Sequence, residues 1–189
     1  MCGFSGFFSL ENLDYQGVLK KITECIHHRG PDDTKYLLDK KNNFYAGFKR
    51  LSIIDLSNNG SQPMQSFDRR FTILFNGEIY NFKEIKKKLI ESNSYKNKIN
   101  FKGNSDTEVL INCIAFFGID KTLSLIEGQY AIALWDDLKK NIHLIRDRFG
   151  EKPLYYGTVN NTFIFSSELK AISKFPNFNQ SISKKSLEY

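Results

Sequence analysis

The sequence predicts an α+β fold in which helix layers cover mainly antiparallel sheets. Three observations predict it. The runs GQYAIALWD, NIHLIRD, LYYGTV and NTFIFSS follow one another at regular spacing with turn residues between them, as antiparallel strands do. Amphipathic segments at 15–28, 82–92 and 105–118 sit in clusters between strand runs instead of alternating with single strands. No internal repeat or linker divides the 189 residues, and a hydrophobic content of 41%, with 17 Phe and 9 Tyr, is enough for one substantial core.

The opening CGFSGFFSL is short, Gly-punctuated and aromatic, and reads as a strand. From Tyr15 to His28, the residues Val18, Leu19, Ile22, Cys25 and Ile26 share one helix face, and Gly30 and Pro31 stop that helix. Strands are expected at 35–39, 44–49 and 51–56, with NNGSQP as a loop. RRFTILFNG is the clearest strand: Phe71, Ile73 and Phe75 alternate, and Asn76-Gly77 reads as the turn that ends it. The helix at 82–92 turns Ile85, Leu89 and Ile90 inward, and 93–104 is a polar loop. Ser105 opens the next helix as N-cap, with Glu108 completing a capping box. That helix carries Val109, Leu110, Cys113, Ile114 and Phe117 to Gly118; a short helix and the four strands follow. A last helical turn at 168–173 precedes an Asn/Ser/Lys tail.

Composition narrows the function classes. No apolar run approaches the roughly 18 residues that span a bilayer, and the start is no secretory signal. The three cysteines form no framework, so a cytoplasmic, membrane-free protein is expected. A net charge of +6 raises nucleic acid as a partner, but the Lys comes with an Asn excess that reads as coding bias. Lys83, Lys86, Lys87 and Lys88 surround Ile85 and Leu89 at helical spacing, a solvated helix face. No nucleic-acid partner is expected. Zinc spacing, phosphate loop and dinucleotide fingerprint are absent from the sequence.

Cys2 is where position carries chemistry. If Met1 is removed, Cys2 holds a thiol beside a free α-amine, which titrates near 7.7–8.0 against about 8.5 for the thiol. One residue then supplies nucleophile and base, and no histidine is needed. The alternative is a small hydrophobe buried at a strand end. Asn76-Gly77-Glu78 offers a side-chain amide and a flexible N–H, as an oxyanion hole requires, or is an ordinary hairpin turn. Arg50, between AGF and LSII, needs a partner, either a ligand carboxylate or a structural Asp. Asp106 in the first turn of a capped helix suits the helix dipole. His27 and His28 fall at a helix end, and His143 in an alternating strand is expected to face solvent.

MCGFSGFF, HRGPDD, RLSIIDLS, GSQPM, FNGEIYNF, SDTEVL, AIALWDD, LIRDRFGEKPLYY and SSELKAI occur in this order over nearly the whole chain. Together they closely resemble the glutaminase half of glutamine-hydrolysing asparagine synthetase, a class II glutamine amidotransferase. The resemblance implies the N-terminal nucleophile hydrolase fold, a four-layer αββα sandwich with two stacked antiparallel sheets. It makes Cys2 the nucleophile on the glutamine side-chain carbonyl, and Asn76 and Gly77 the oxyanion-stabilising pair. Arg50 then holds the α-carboxylate, Leu51, Ser52, Ile53 and Ile54 line the pocket, and Glu78 and Asp106 receive the α-ammonium. His28 to Asp32 match a structural or gating segment. Phe4 stands where family members often carry Ile.

The family continues into an ATP-using domain with a loop of the SGGLDS kind, which this sequence lacks. Residues 1–175 are therefore expected to be the amidotransferase domain, and 176–189 the start of a connection to a synthetase domain. No cofactor and no metal are expected in this domain; ATP and Mg belong to the synthetase half. Expected partners are glutamine and that synthetase domain, and a homodimer is left open. The expected function is hydrolysis of glutamine to glutamate and ammonia through a Cys2 thioester, the ammonia amidating aspartate. Two alternatives stand beside it: the same glutaminase feeding a sugar, cell-surface or natural-product acceptor, and a non-catalytic module binding acidic polymers.

Overall fold

The computed structural model describes residues 1–10, 14–92, 99–179 and 181. Much of the tail (180 and 182–189) and of the polar loop (93–98) lies outside the described residues.

Among the described residues, nine strands form two antiparallel sheets. The first has the order β2-β3-β1-β9-β8, with β1 at Gly3–Ser9, β2 at Asp33–Asp39, β3 at Phe44–Arg50, β8 at Tyr155–Val159 and β9 at Thr162–Ser166. The second has the order β4-β5-β6-β7, with β4 at Met64–Gln65, β5 at Phe71–Ile79, β6 at Gly128–Asp136 and β7 at Asn141–Arg146. Helices α1 (Tyr15–Glu24) and α5 (Leu169–Ile172) cover the first sheet. Helices α2 (Phe82–Glu91), α3 (Asp106–Phe117) and α4 (Ile119–Leu125) cover the second.

Strand parity builds the layers. In β1 and β3, Phe4, Phe44, Ala46 and Phe48 point inward to meet Leu74, Ala131, Ala133 and Trp135 of the second sheet. Phe7 and Tyr45 point outward onto Leu19, Ile22 and Ile26. Phe71, Ile73, Phe75 and Ile79 of β5 meet Ile85, Leu89, Val109, Leu110, Ile111, Cys113 and Ile114. Three apolar layers between four layers of secondary structure give the αββα sandwich, and they explain why β3 is buried along its whole length. Each Phe-sized side chain withdrawn from water contributes about 1.5–3 kcal/mol.

Several expectations need correction. The first helix ends at Glu24, and a 3₁₀ turn, His27–Arg29, carries the histidines. Residues 51–56 are not a strand. Asp55 O and Ser57 O turn in to accept from the Arg50 guanidinium, and Ser52 N donates to Asp32 Oδ2, so the backbone curls and leaves Leu56 78% exposed. Asn76-Gly77 is not a turn; both residues pair within β5, opposite Ala131 and Tyr130. Tertiary pairing overrides the local turn preference there. Ile90 is 55% exposed, because Ile85 and Leu89 already fill the inward face of α2.

The Ser105 cap forms, with Glu108 N donating to Ser105 Oγ at 3.2 Å. The Glu108 carboxylate does not close a box on its cap; it accepts from Lys102 N and Gly103 N at 2.7 and 2.9 Å. His143 does not face solvent: it pairs with Leu134 on the helix-covered side, and its Nε2 is buried.

Candidate active site

The parity that builds the core also builds a polar site at one end of it. Residue 2 precedes β1 in the same parity as Phe4, Arg50 ends β3 in the parity of Phe48, and Asn76 follows Leu74 in β5. All three side chains therefore enter the layer between the sheets, where the strand ends leave a cavity of about 260 Å³. Ligand cavities for drug-sized molecules run to about 300–1,000 Å³, so this one suits an amino-acid-sized molecule. Cys2, Arg50, Leu51, Ile53, Ile54, Asn76, Gly77, Glu78 and Asp106 all line it. Ser52 does not; its N–H is engaged by Asp32 in the curled segment.

Cys2 Sγ accepts from Leu51 N at 3.3 Å and lies 3.5 Å from Leu51 O. Its carbonyl is gripped by Arg29 Nε at 3.0 Å, and Arg29 Nη1 is in turn held by Glu168 at 3.0 Å. Burial pushes the Cys2 thiol up, outweighing the lowering by the Leu51 N–H, the chain-terminal ammonium and Arg50; Asp106 adds to the rise. A thiol so placed is protonated at neutral pH and needs a base to react.

Arg50 is buried, and its guanidinium is held by Asp55 O, Ser57 O at 2.8 Å and Ser61 Oγ at 3.5 Å. The structural Asp pair that the sequence allows is not formed: among the described residues no carboxylate makes an ion pair with it. Gly60 permits this packing, since a Cβ there would stand 3.1 Å from Arg50 Cζ.

On β5, backbone direction decides what faces the cavity. Tyr130 N donates to Asp147 Oδ2 and Tyr130 O accepts from Asp147 N, so Tyr130 directs its backbone groups away from β5. Its register partner Gly77 therefore points its own N–H away from β6, toward the open edge. A Cβ on Gly77 would stand 2.8 Å from Tyr130 Cα, so the close strand approach requires glycine. Asn76 is 1% exposed, and its Nδ2 is buried with no hydrogen-bond partner among the described residues. Asp106 Oδ2 accepts from Ile79 N at 3.0 Å and Oδ1 from Thr107 N at 2.8 Å. Burial raises its carboxyl to about 6, the two N–H bonds lowering it and neighbouring Glu78 raising it.

Residues that the sequence does not single out also reach the cavity: Gln62, Thr107, Gln129 and Lys152. Of these, Gln62 stands within GSQPM, Thr107 within SDTEVL and Lys152 within LIRDRFGEKPLYY, whereas Gln129 stands in none of the motifs that carry the resemblance.

Two stacked antiparallel sheets between helices, with the Cys2 thiol at the head of a central strand, make this an N-terminal nucleophile hydrolase fold. The chain belongs to the glutamine amidotransferase domain family, whose model matches residues 1–189. It is 39% identical over 180 residues to asparagine synthetase [glutamine-hydrolyzing] 2 of Bacillus subtilis, covering 93% of this chain and 23% of that protein. The B. subtilis asparagine synthetase [glutamine-hydrolyzing] 1 is 40% identical, covering 91% and 26%. A putative asparagine synthetase of Methanocaldococcus jannaschii is 34% identical, covering 100% and 38%. The chain thus spans well under half the length of these relatives. Among solved structures, the glutamine phosphoribosylpyrophosphate amidotransferase of B. subtilis superposes with a TM-score of 0.72 at 20% identity, over 92% of this chain and 43% of that one, a likeness of fold.

Proposed function

We propose that this domain hydrolyses glutamine to glutamate and ammonia through a thioester on Cys2. The observation that carries the reading is the convergence on one cavity of the Cys2 thiol, the buried Arg50 fork and the Asn76 Nδ2, which has no partner among the described residues.

Removal of Met1 frees the Cys2 α-amine. The amine takes the Sγ proton as sulfur attacks the side-chain carbonyl carbon of glutamine, and the carbonyl electron pair moves onto oxygen. Asn76 Nδ2 and the Gly77 N–H donate to that oxyanion. Collapse breaks the C–N bond, the α-ammonium hands its proton to the leaving nitrogen, and ammonia departs from the thioester. Water then adds to the thioester with the amine again as base, the C–S bond breaks, and the thiol regains its proton as glutamate leaves. Arg50 holds the α-carboxylate in a bidentate fork, Leu51, Ile53 and Ile54 cover the methylenes, and Glu78 with Asp106 receives the α-ammonium. These steps call on no cofactor.

In the longer protein, this reading has residues 1–175 as the glutaminase domain and 176–189 leading into a synthetase domain. That domain would use ATP and Mg to amidate aspartate with the ammonia. The named relatives support aspartate over a sugar, cell-surface or natural-product acceptor, and three free thiols suit the reducing cytoplasm.

Glutamate release by the parent and by C2A and C2S, with the N-terminus sequenced in parallel, tests the reading. The expected result is turnover only in Met1-free parent. C2A at the parent rate, or full activity with Met1 retained, would overturn it.

A further inference from the structure

Along the open edge of β5, residues 75, 77 and 79 direct their backbone groups away from β6, toward the side where β4 lies. β4 covers little of that edge: it pairs Met64 with Ile73 and Gln65 with Thr72. Continued by two residues, this register would set Gln62 opposite Phe75. Pro63 intervenes with no N–H to give, and the side chain of Gln62 takes the place of a strand. Its Oε1 accepts from Phe75 N at 2.6 Å, and its Nε2 donates to Phe75 O at 3.2 Å. The same Nε2 lies 3.4 Å from Thr107 Oγ1, in the first turn of α3 beside Asp106. Asp106 in turn takes the Ile79 N–H. Two side chains therefore close the 75 and 79 positions, and the Gly77 N–H between them is left facing the cavity. Gln62 is 4% exposed and itself lines that cavity.

We infer that Gln62 is a positioning residue for the reaction: its amide substitutes for a missing strand at Phe75 and so sets the depth and direction of Asn76 and the Gly77 N–H. This rests on the glutaminase reading above. The amide is suited to the task because it presents an acceptor and a donor side by side, as the antiparallel partner of Phe75 would. A leucine has neither. A carboxylate supplies the acceptor, yet sets a second negative oxygen against Phe75 O until it is protonated.

The test uses Met1-free parent, Q62L and Q62E, with glutamate release followed from pH 5 to 8. Displacing a catalytic group by an ångström costs about a hundredfold in rate, so kcat of Q62L is expected to fall by about tenfold to a hundredfold. Its KM for glutamine is expected to change by less than about threefold, by the same reasoning that the substrate contacts remain. For Q62E, the ratio of its kcat to that of the parent at each pH rises as pH falls. Should Q62L fold poorly, the Q62E ratio still decides, because a packing role leaves that ratio flat. Parent-like kcat in Q62L, or a rise in KM with kcat intact, overturns the positioning role while the parent's activity stands. An inactive parent overturns the glutaminase reading, and this role with it.

Discussion

Asp147 and Tyr130 exchange two hydrogen bonds, Tyr130 N to Asp147 Oδ2 at 3.1 Å and Asp147 N to Tyr130 O at 2.9 Å. Asp147 lies in the RDRFGEKP loop, and its carboxylate also collects the N–H groups of Phe149, Glu151 and Lys152. The loop thus faces Tyr130 away from β5 and frees the Gly77 N–H for the cavity.

Gly77 cannot carry a side chain without moving β6. Overpacking at a close backbone approach costs about 1–3 kcal/mol, and G77A is expected to lose that much stability in thermal melts. It should also lose at least about tenfold in kcat, since the displaced group is an oxyanion donor. A G77A protein with parental melting and turnover would contradict the close approach.

Asn76 is placed to act in the transition state. Removing an oxyanion donor typically lowers kcat by about 10²–10³, and N76A is expected to fall in that range with KM little changed. N76D should behave alike, because an ionised carboxylate has no donor. Steady-state kinetics on glutamine, with kcat and KM read separately, check both variants.

Asp106 sets a pH dependence. Its carboxyl is raised to about 6 by burial, so below that pH it is mostly neutral and offers an α-ammonium no countercharge. Affinity for glutamine is therefore expected to strengthen as pH rises through about 6, seen as a falling KM. For stability the sign is opposite. The folded value lies above the ordinary 3.8, so the advantage of the neutral form is full below 3.8 and is lost as pH rises through about 6. D106N should abolish the pH-dependent limb of KM and leave KM high throughout.

Arg50 owes its orientation to carbonyls, and among the described residues no carboxylate makes an ion pair with it. R50K keeps the charge but loses the fork and the paired contacts to Ser57 O and Asp55 O. Charge-assisted hydrogen bonds contribute about 1.5–3 kcal/mol, so KM should rise about tenfold to a hundredfold. Unchanged KM in R50K would remove Arg50 from the substrate site.

Much of this was legible in the sequence. The helix faces at 15–24, 82–91 and 106–117 and the last four strands follow from periodicity, because burial on one face imposes it whatever the partner. Cys2, Arg50, Asn76, Gly77 and Asp106 stood out by position, charge or turn chemistry, and the structure brings all five to one cavity. The failures share a cause. Leu51–Leu56 has a strand's composition, but the Arg50 guanidinium draws its carbonyls inward. Asn76-Gly77 has a turn's composition, but β6 pairs through it.

The sequence by itself determined which side chains alternate, which segments are helical, and that a thiol stands at position 2. Periodicity and position along the chain suffice for these, since they are local. Only the tertiary structure decided that Gly77 exposes its N–H and that Gln62 closes the edge beside it. A backbone group's partner is chosen by whichever strand or side chain lies across from it, and the residues on either side of Asn76-Gly77 carry no record of that choice.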